Sequence, residues 1–147
     1  MSIQHAGPYA GDVTSTEAYQ ALTLEPSALL VDVRTKAEWT FVGAPDLAKV
    51  GKKPIFLEWQ QYPSMIVNSE FVGRLGQLLQ QSGATAETPI YFLCRSGARS
   101  RSAATAMAAA GQTHCFNIAD GFEGPLDAGR RGQRDGWKAK SLPWTQS

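Results

Sequence analysis

The residues best suited to chemistry are Cys94-Arg95-Ser96-Gly97-Ala98-Arg99-Ser100. They lie between Pro89 to Cys94, which reads as a buried strand, and Ser100 to Ala110, so rich in alanine that it reads as a helix. In an open α/β sheet, ligands bind at the carboxyl ends of the strands, so this cysteine stands where sites form. The amides of a tight loop opening a helix converge as an anion-binding nest, and the helix N-terminus adds partial positive charge. Arg95 and Arg99 add two full charges. A thiol in such surroundings is expected to react as the thiolate, a nucleophile. Gly97 falls where backbone must approach a ligand closely. Most buried cysteines at strand ends are core filler; the combination of strand, helix, glycine and two arginines favours function over that.

The elements that must position this loop are legible in the pattern. Val13 ends a short strand, and Thr14, Ser15 or Thr16 caps a helix through about Leu24, closed by Pro26. Ala28 to Val33 is almost continuously apolar, as expected of a strand covered on both faces. Thr35 opens a short helix through Phe41, and Ile55 to Glu58 reads as another strand. Asn68 or Ser69 caps a helix to about Gln81, with Phe71, Val72, Leu75, Leu78 and Leu79 at helical spacing and Gly83 as a stop. Cys115 to Ile118 supplies a last strand before the turn DGFEGP. This alternation predicts an α/β fold with a central, mainly parallel sheet. The tail from Pro125, with Gly129, Gly132 and Gly136 among Arg130, Arg131 and Arg134, reads as loop. Trp137 and Trp144 are expected to fold it back onto the body, since two bulky apolar rings are costly to leave in water.

At 147 residues and 15.9 kDa, one domain covering 1–147 is expected, with a core over about 13–124 and the tail 125–147 packed on it. With 43% hydrophobic and 18% charged residues the chain has enough apolar material to fold. No apolar run approaches the roughly 20 residues of a membrane span, and the polar start MSIQHAGPYAGD does not read as a signal peptide, so a cytoplasmic protein is expected. A net charge of +1 predicts neither a nucleic-acid nor a membrane partner. The charge is uneven: residues 1–94 carry six basic and nine acidic side chains, residues 95–147 eight and four. That changeover just after Cys94 suits an anionic ligand there, although a solvated basic tail gives the same count. His5, Cys94, His114 and Cys115 lack zinc spacing, so no metal is expected. Cys115 reads as an inert core thiol.

Residues 94–99, Cys-Arg-Ser-Gly-Ala-Arg, resemble the active-site loop of the rhodanese family, Cys-Arg-x-Gly-x-Arg/Thr. Leu30-Val31-Asp32-Val33-Arg34 with Glu38-Trp39 is similar to the family's Val-Asp-Val-Arg and Glu-Trp elements. Asn117-Ile118 and Gly121-Phe122-Glu123-Gly124 resemble its closing element, and Gly136-Trp137-Lys138 with Leu142-Pro143-Trp144 resembles the tail of many bacterial single-domain members. The resemblance implies a three-layer fold with a five-stranded sheet. It implies sulfur transfer through a Cys94 persulfide, from a small anionic donor such as thiosulfate to a thiophilic acceptor such as cyanide or a thiol, without cofactor. On that reading the residues from Arg95 to Ser100 bind substrate through their amides, and Arg95 and Arg99 bind the donor through charge.

Asp32 and Arg34 are expected to support the site rather than react: Asp32 by bonding loop groups, Arg34 through an ion pair for which Glu38, four residues on, is a candidate. Residues 43–64 depart from the commoner rhodanese pattern. Phe56, Trp59 and Tyr62 there form either one wall of the site or part of the core. Two other readings of the loop remain. A cysteine phosphatase or arsenate reductase needs five residues between cysteine and arginine, whereas four separate Cys94 from Arg99. A non-catalytic rhodanese-like binding module usually lacks the cysteine that this chain keeps.

Overall fold

A computed structural model of the chain describes residues 8–126, 129–131 and 135–146. Residues 1–7 of the polar start, and Gly132 and Arg134 of the tail, lie outside the described residues. In chain order the elements are β1 (Gly11–Val13), α1 (Ser15–Leu24), β2 (Leu29–Asp32), α2 (Lys36–Phe41), β3 (Ala44–Pro45), a 3-10 turn (Ala48–Val50), β4 (Ile55–Phe56), β5 (Gln60–Gln61), β6 (Ile66–Val67), α3 (Phe71–Gln81), β7 (Ile90–Leu93), α4 (Ala98–Ala109), β8 (Cys115–Ile118) and β9 (Trp144–Thr145).

Five strands form the central sheet in the order β1-β8-β7-β2-β4, and each neighbouring pair is parallel. Successive strand residues point to opposite faces, so the nearly unbroken apolar strands feed two cores. Val31, Val33, Ile90, Phe92 and Cys115 pack with Phe71, Leu75 and Leu79 of α3 and Ala103, Ala104 and Met107 of α4. Leu30, Tyr91, Leu93, Phe116 and Ile118 pack with Ala18, Ala21 and Leu22 of α1, and with Leu47, Phe122 and Trp137. The alanines of α4 bring that helix close to the sheet. Because the sheet is parallel, the loops after β2, β7 and β8 gather at one edge, where the site is built.

Local chemistry sets the helix starts. Thr14 with Glu17 and Thr35 with Glu38 form complete capping boxes for α1 and α2. The start of α3 falls later than its sequence predicts: Asn68 Oδ1 accepts from the Glu70 amide at 3.0 Å and orders the turn, and the helix begins at Phe71. Helix α4 starts two residues before Ser100, behind Gly97 in the left-handed region at φ 106°. Two short antiparallel pairs have no counterpart in the sequence reading: β3 with β9, and β5 with β6. Trp137 is fully buried, its ring edge-on to Tyr19 at 5.6 Å, while Trp144 sits edge-on to Phe122 at 6.4 Å with Lys138 Nζ 4.0 Å over its ring.

Candidate active site

Cys94 follows β7 directly and is 1% exposed. Its Sγ accepts a hydrogen bond from the Gly97 amide at 3.1 Å and lies 3.2 Å from Ser100 Oγ. The segment 121–124 engages the first two carbonyls of the loop. The Phe122 amide donates to the Cys94 carbonyl at 2.8 Å, and the Glu123 and Gly124 amides donate to that of Arg95 at 3.0 and 3.2 Å. Peptide planes held by their carbonyls on one side present amides on the other, which is how an anion nest is made. Two glycines permit this packing. A Cβ on Gly97 would stand 2.5 Å from the Ala119 carbonyl oxygen, and one on Gly121, at φ 67°, would run into the Arg95 carbonyl and the Ser96 amide. The tail braces the clamp in turn, the Trp137 and Lys138 amides donating to the carbonyls of Gly121 and Phe122 at 2.8 and 3.1 Å.

Next to the sulfur runs a polar chain, buried at Ser100 and Asn117 and partly buried at Asp12. Ser100 Oγ donates to Asn117 Oδ1 at 2.6 Å, Asn117 Nδ2 donates to Asp12 Oδ1 at 3.0 Å, and the Tyr9 hydroxyl donates to the same carboxylate oxygen at 2.7 Å. Asp12 and Asn117 are paired neighbours of β1 and β8.

Arg99 does not stand free. Its guanidinium makes a bidentate ion pair with Glu38, Nη1 to Oε1 at 2.6 Å and Nη2 to Oε2 at 3.0 Å. The expected Glu38 to Arg34 pair is therefore replaced: Glu38 spans 61 residues to Arg99, while Arg34 pairs with Asp32 at 2.7 Å, both fully buried. Arg34 also donates to the Gly43 carbonyl at 2.9 Å and lies 4.2 Å over the Phe122 ring. The buried pair thus ties the end of β2 to the clamp that holds the cysteine loop. Geometry decides the exchange, since Glu38 is already turned toward the α2 start by its capping box and meets α4 there.

Burial alone pushes the Glu38 carboxyl up, but the hydrogen bonds and charge of Arg99, the Thr35 amide and the Arg34 charge outweigh it and hold the group below the ordinary glutamate value of 4.5. A carboxyl depressed by folding contributes stability that is complete above its unfolded value and disappears as pH falls through its folded value. Glu38→Gln is expected to lower stability at pH 6 by about 1.5–3 kcal/mol, the scale of a charged hydrogen bond. The gap to the native chain should close below pH 4.5 in melts recorded from pH 6 to pH 3. A gap independent of pH would show that the pair contributes shape and not charge.

A cavity of about 760 Å³ opens above the loop. Cys94, Arg95, Ser96, Ala98 and Arg99 line its base; Thr35, Ala37, Glu38, Phe41 and Val42 line one wall; Gln60, Tyr62 and Met65 of the hairpin line another, with Glu123 and Arg131 completing the rim. Gly97 and Ser100 contact the sulfur. Of the two places open to these aromatics, Trp59 takes the core, its ring edge-on to Phe71 at 5.0 Å, and Tyr62 takes the wall, joined by Met65. Backbone bonding separates the two aromatics: the Trp59 amide donates to the Val33 carbonyl at 3.1 Å, which holds it beside the end of β2, whereas Tyr62 lies in the turn between β5 and β6. Phe41, Met65, Glu123 and Arg131 went unread in the sequence. Phe41 had a local signal, three residues after Glu38 on one helix face; the other three are brought in by loops.

Cys115 is fully buried under α4, and burial pushes its thiol up to about 12. Among the described residues, no group of three His, Cys, Asp or Glu side chains is placed to hold a metal, and no helix is long and apolar enough to cross a membrane.

A parallel five-stranded sheet flanked by helices, with the cysteine loop between the central strand and α4, defines a rhodanese-like domain. Within that class the chain belongs to the STR4 middle domain family, whose model matches residues 10–147. It is 41% identical over 133 residues to protein RP600 of Rickettsia prowazekii, covering 90% of this chain and 95% of that protein. The crystal structure of Rv0390 from M. tuberculosis superposes with a TM-score of 0.84 at 44% identity, over 95% of this chain and 99% of that one. The chloroplastic protein THYLAKOID RHODANESE-LIKE of Oryza sativa subsp. indica is 32% identical over 138 residues, which are 94% of this chain and 25% of that protein.

Proposed function

We propose that the protein is a sulfurtransferase that carries sulfane sulfur on Cys94. The observation that carries this reading is the sulfur at the base of a cavity with the Gly97 amide 3.1 Å from it and the Cys94 and Arg95 carbonyls taken up by the amides of 122–124. The Cys94 thiolate attacks the outer sulfur of thiosulfate. The bond between the two thiosulfate sulfurs breaks, its electron pair leaves with sulfite, and Cys94 is left as a persulfide. Amides of the loop from Arg95 to Ser100 hold the added negative sulfur. An acceptor such as cyanide or a thiolate then attacks that sulfur, and the electron pair of the breaking S–S bond returns to Cys94.

Arg99 is committed to Glu38, so in this reading it braces α4 against α2 and the pair contributes little net charge. Attraction of the anionic donor falls on Arg95, with Arg131 on the rim. Asp32 and Arg34 support the loop without touching substrate. Phe41, Tyr62 and Met65, 77%, 66% and 38% exposed, leave one side of the cavity apolar and suited to the body of an organic acceptor. Intact mass spectrometry of the chain after incubation with thiosulfate tests the reading. A gain of roughly 32 Da, reversed by cyanide or a thiol, is expected. An unchanged mass with Cys94 reduced would overturn it.

A further inference from the structure

The polar chain next to Cys94 has a proton count that chemistry fixes. A carboxylate only accepts hydrogen bonds, so Asn117 must turn Nδ2 toward Asp12, 3.0 Å away, and Oδ1 toward Ser100. Ser100 donates to that Oδ1 at 2.6 Å. A serine hydroxyl has one hydrogen, and here it is committed. The 3.2 Å contact between Ser100 Oγ and Cys94 Sγ is then a hydrogen bond only if the thiol donates its own hydrogen to Oγ. Ser100 and Asn117 are fully buried and Cys94 is 1% exposed. When Cys94 loses its proton, lone pairs face lone pairs across that contact until the hydroxyl swings from Asn117 to the sulfur, which leaves Asn117 Oδ1 without its donor.

We infer that Ser100 is a two-position hydroxyl switch, and that Asn117, oriented by Asp12, is a positioning residue that holds the switch on the side of the neutral thiol. This deepens the sulfurtransferase reading, on which it rests for the need of a thiolate. The charged groups around the switch are Arg95 on the loop, Arg99 with Glu38 across from α2, the Asp32 and Arg34 pair at the end of β2, and Asp12 with Tyr9 and Arg101 beside β1. Only Asp12 among them is altered below.

The test is the rate at which iodoacetamide alkylates Cys94, read by intact mass from pH 5.5 to pH 9 on the full chain. Asn117→Leu removes the amide that holds the hydroxyl. Asp12→Asn lets the Asn117 amide turn over and donate to Ser100 Oγ, again freeing the hydroxyl hydrogen for the sulfur. Both variants are expected to alkylate about three- to tenfold faster near pH 7, the scale of one net hydrogen bond, since the hydroxyl is moved and not added, and to converge with the native chain at the alkaline end. In a Ser100→Ala background the Asn117→Leu effect should vanish; whatever remains for Asp12→Asn is the charge that substitution removes. Unchanged or slower alkylation in folded Asp12→Asn, or acceleration that survives in full without Ser100, would overturn the inference. Should Asn117→Leu not fold, Asp12→Asn decides alone. A chain that alkylates as expected yet takes no sulfur from thiosulfate loses the sulfurtransferase reading and keeps the switch.

Discussion

Cys94→Ser is expected to reduce thiosulfate-dependent sulfur transfer to background, a fall of at least about 10³-fold, because the nucleophile itself is removed. The fold should survive. A serine hydroxyl at this position still accepts from the Gly97 amide and still meets Ser100, so stability should change little, by about 1 kcal/mol or less. Cys115→Ser should behave in the opposite way. Its thiol is enclosed in the apolar layer between sheet and α4 and is pushed up to about 12. A hydroxyl there costs about 1–3 kcal/mol of burial energy while the transfer rate stays near native. Equal loss of activity in both variants would show that Cys94 is not the single nucleophile. The same pair of chains tests the phosphatase alternative. Hydrolysis of an aryl phosphate by the native chain, lost in Cys94→Ser, would replace sulfur transfer as the function.

Trp137→Ala is expected to have the largest effect on stability of any substitution outside the sheet. The ring is fully buried against Tyr19, and its Nε1 donates to the Pro143 carbonyl at 2.7 Å. Removing so large a buried side chain costs about 3–5 kcal/mol, partly for lost contacts and partly for the cavity left behind. For a domain of this size that lowers the melting temperature by roughly 6–20 °C. The residue is far from the sulfur in sequence, yet its amide holds the Gly121 carbonyl and thereby the clamp over the Cys94 and Arg95 carbonyls. Sulfur transfer at 25 °C should therefore fall along with stability, and Trp137→Phe should restore most of both. Full activity in a folded Trp137→Ala chain would show that the clamp holds without the tail. Asp120 supports the same junction, accepting from the Ser15 amide and hydroxyl and from the Gly136 amide.

The elements of the sheet and the loop were readable because their causes are local. Short, nearly continuous apolar runs from Ala28 to Val33 and Pro89 to Cys94, bounded by turn residues, read as strands covered on both faces, and Thr35 marks the start of a short helix. Gly97 between a strand and an alanine-rich helix marks the turn that puts Cys94 at a helix start. These depend on residues a few positions apart, so period and propensity suffice. The partner of Arg99 depends on which helix lies beside α4, and a spacing rule that offers Arg34 to Glu38 cannot see a residue 61 positions away. Likewise Trp59 and Tyr62 look alike as aromatic residues in an irregular stretch. The bond from the Trp59 amide to the Val33 carbonyl holds one against the core, and the turn after β5 carries the other over the cavity. The direction of the Ser100 hydrogen is decided furthest from the sequence, because it follows from the parallel register that sets Asp12 beside Asn117. By itself the sequence determined that a cysteine would stand at the mouth of a parallel sheet. Tertiary packing decided which groups face it, since hydrogen bonds and ion pairs across elements form only where the fold has already brought their partners together.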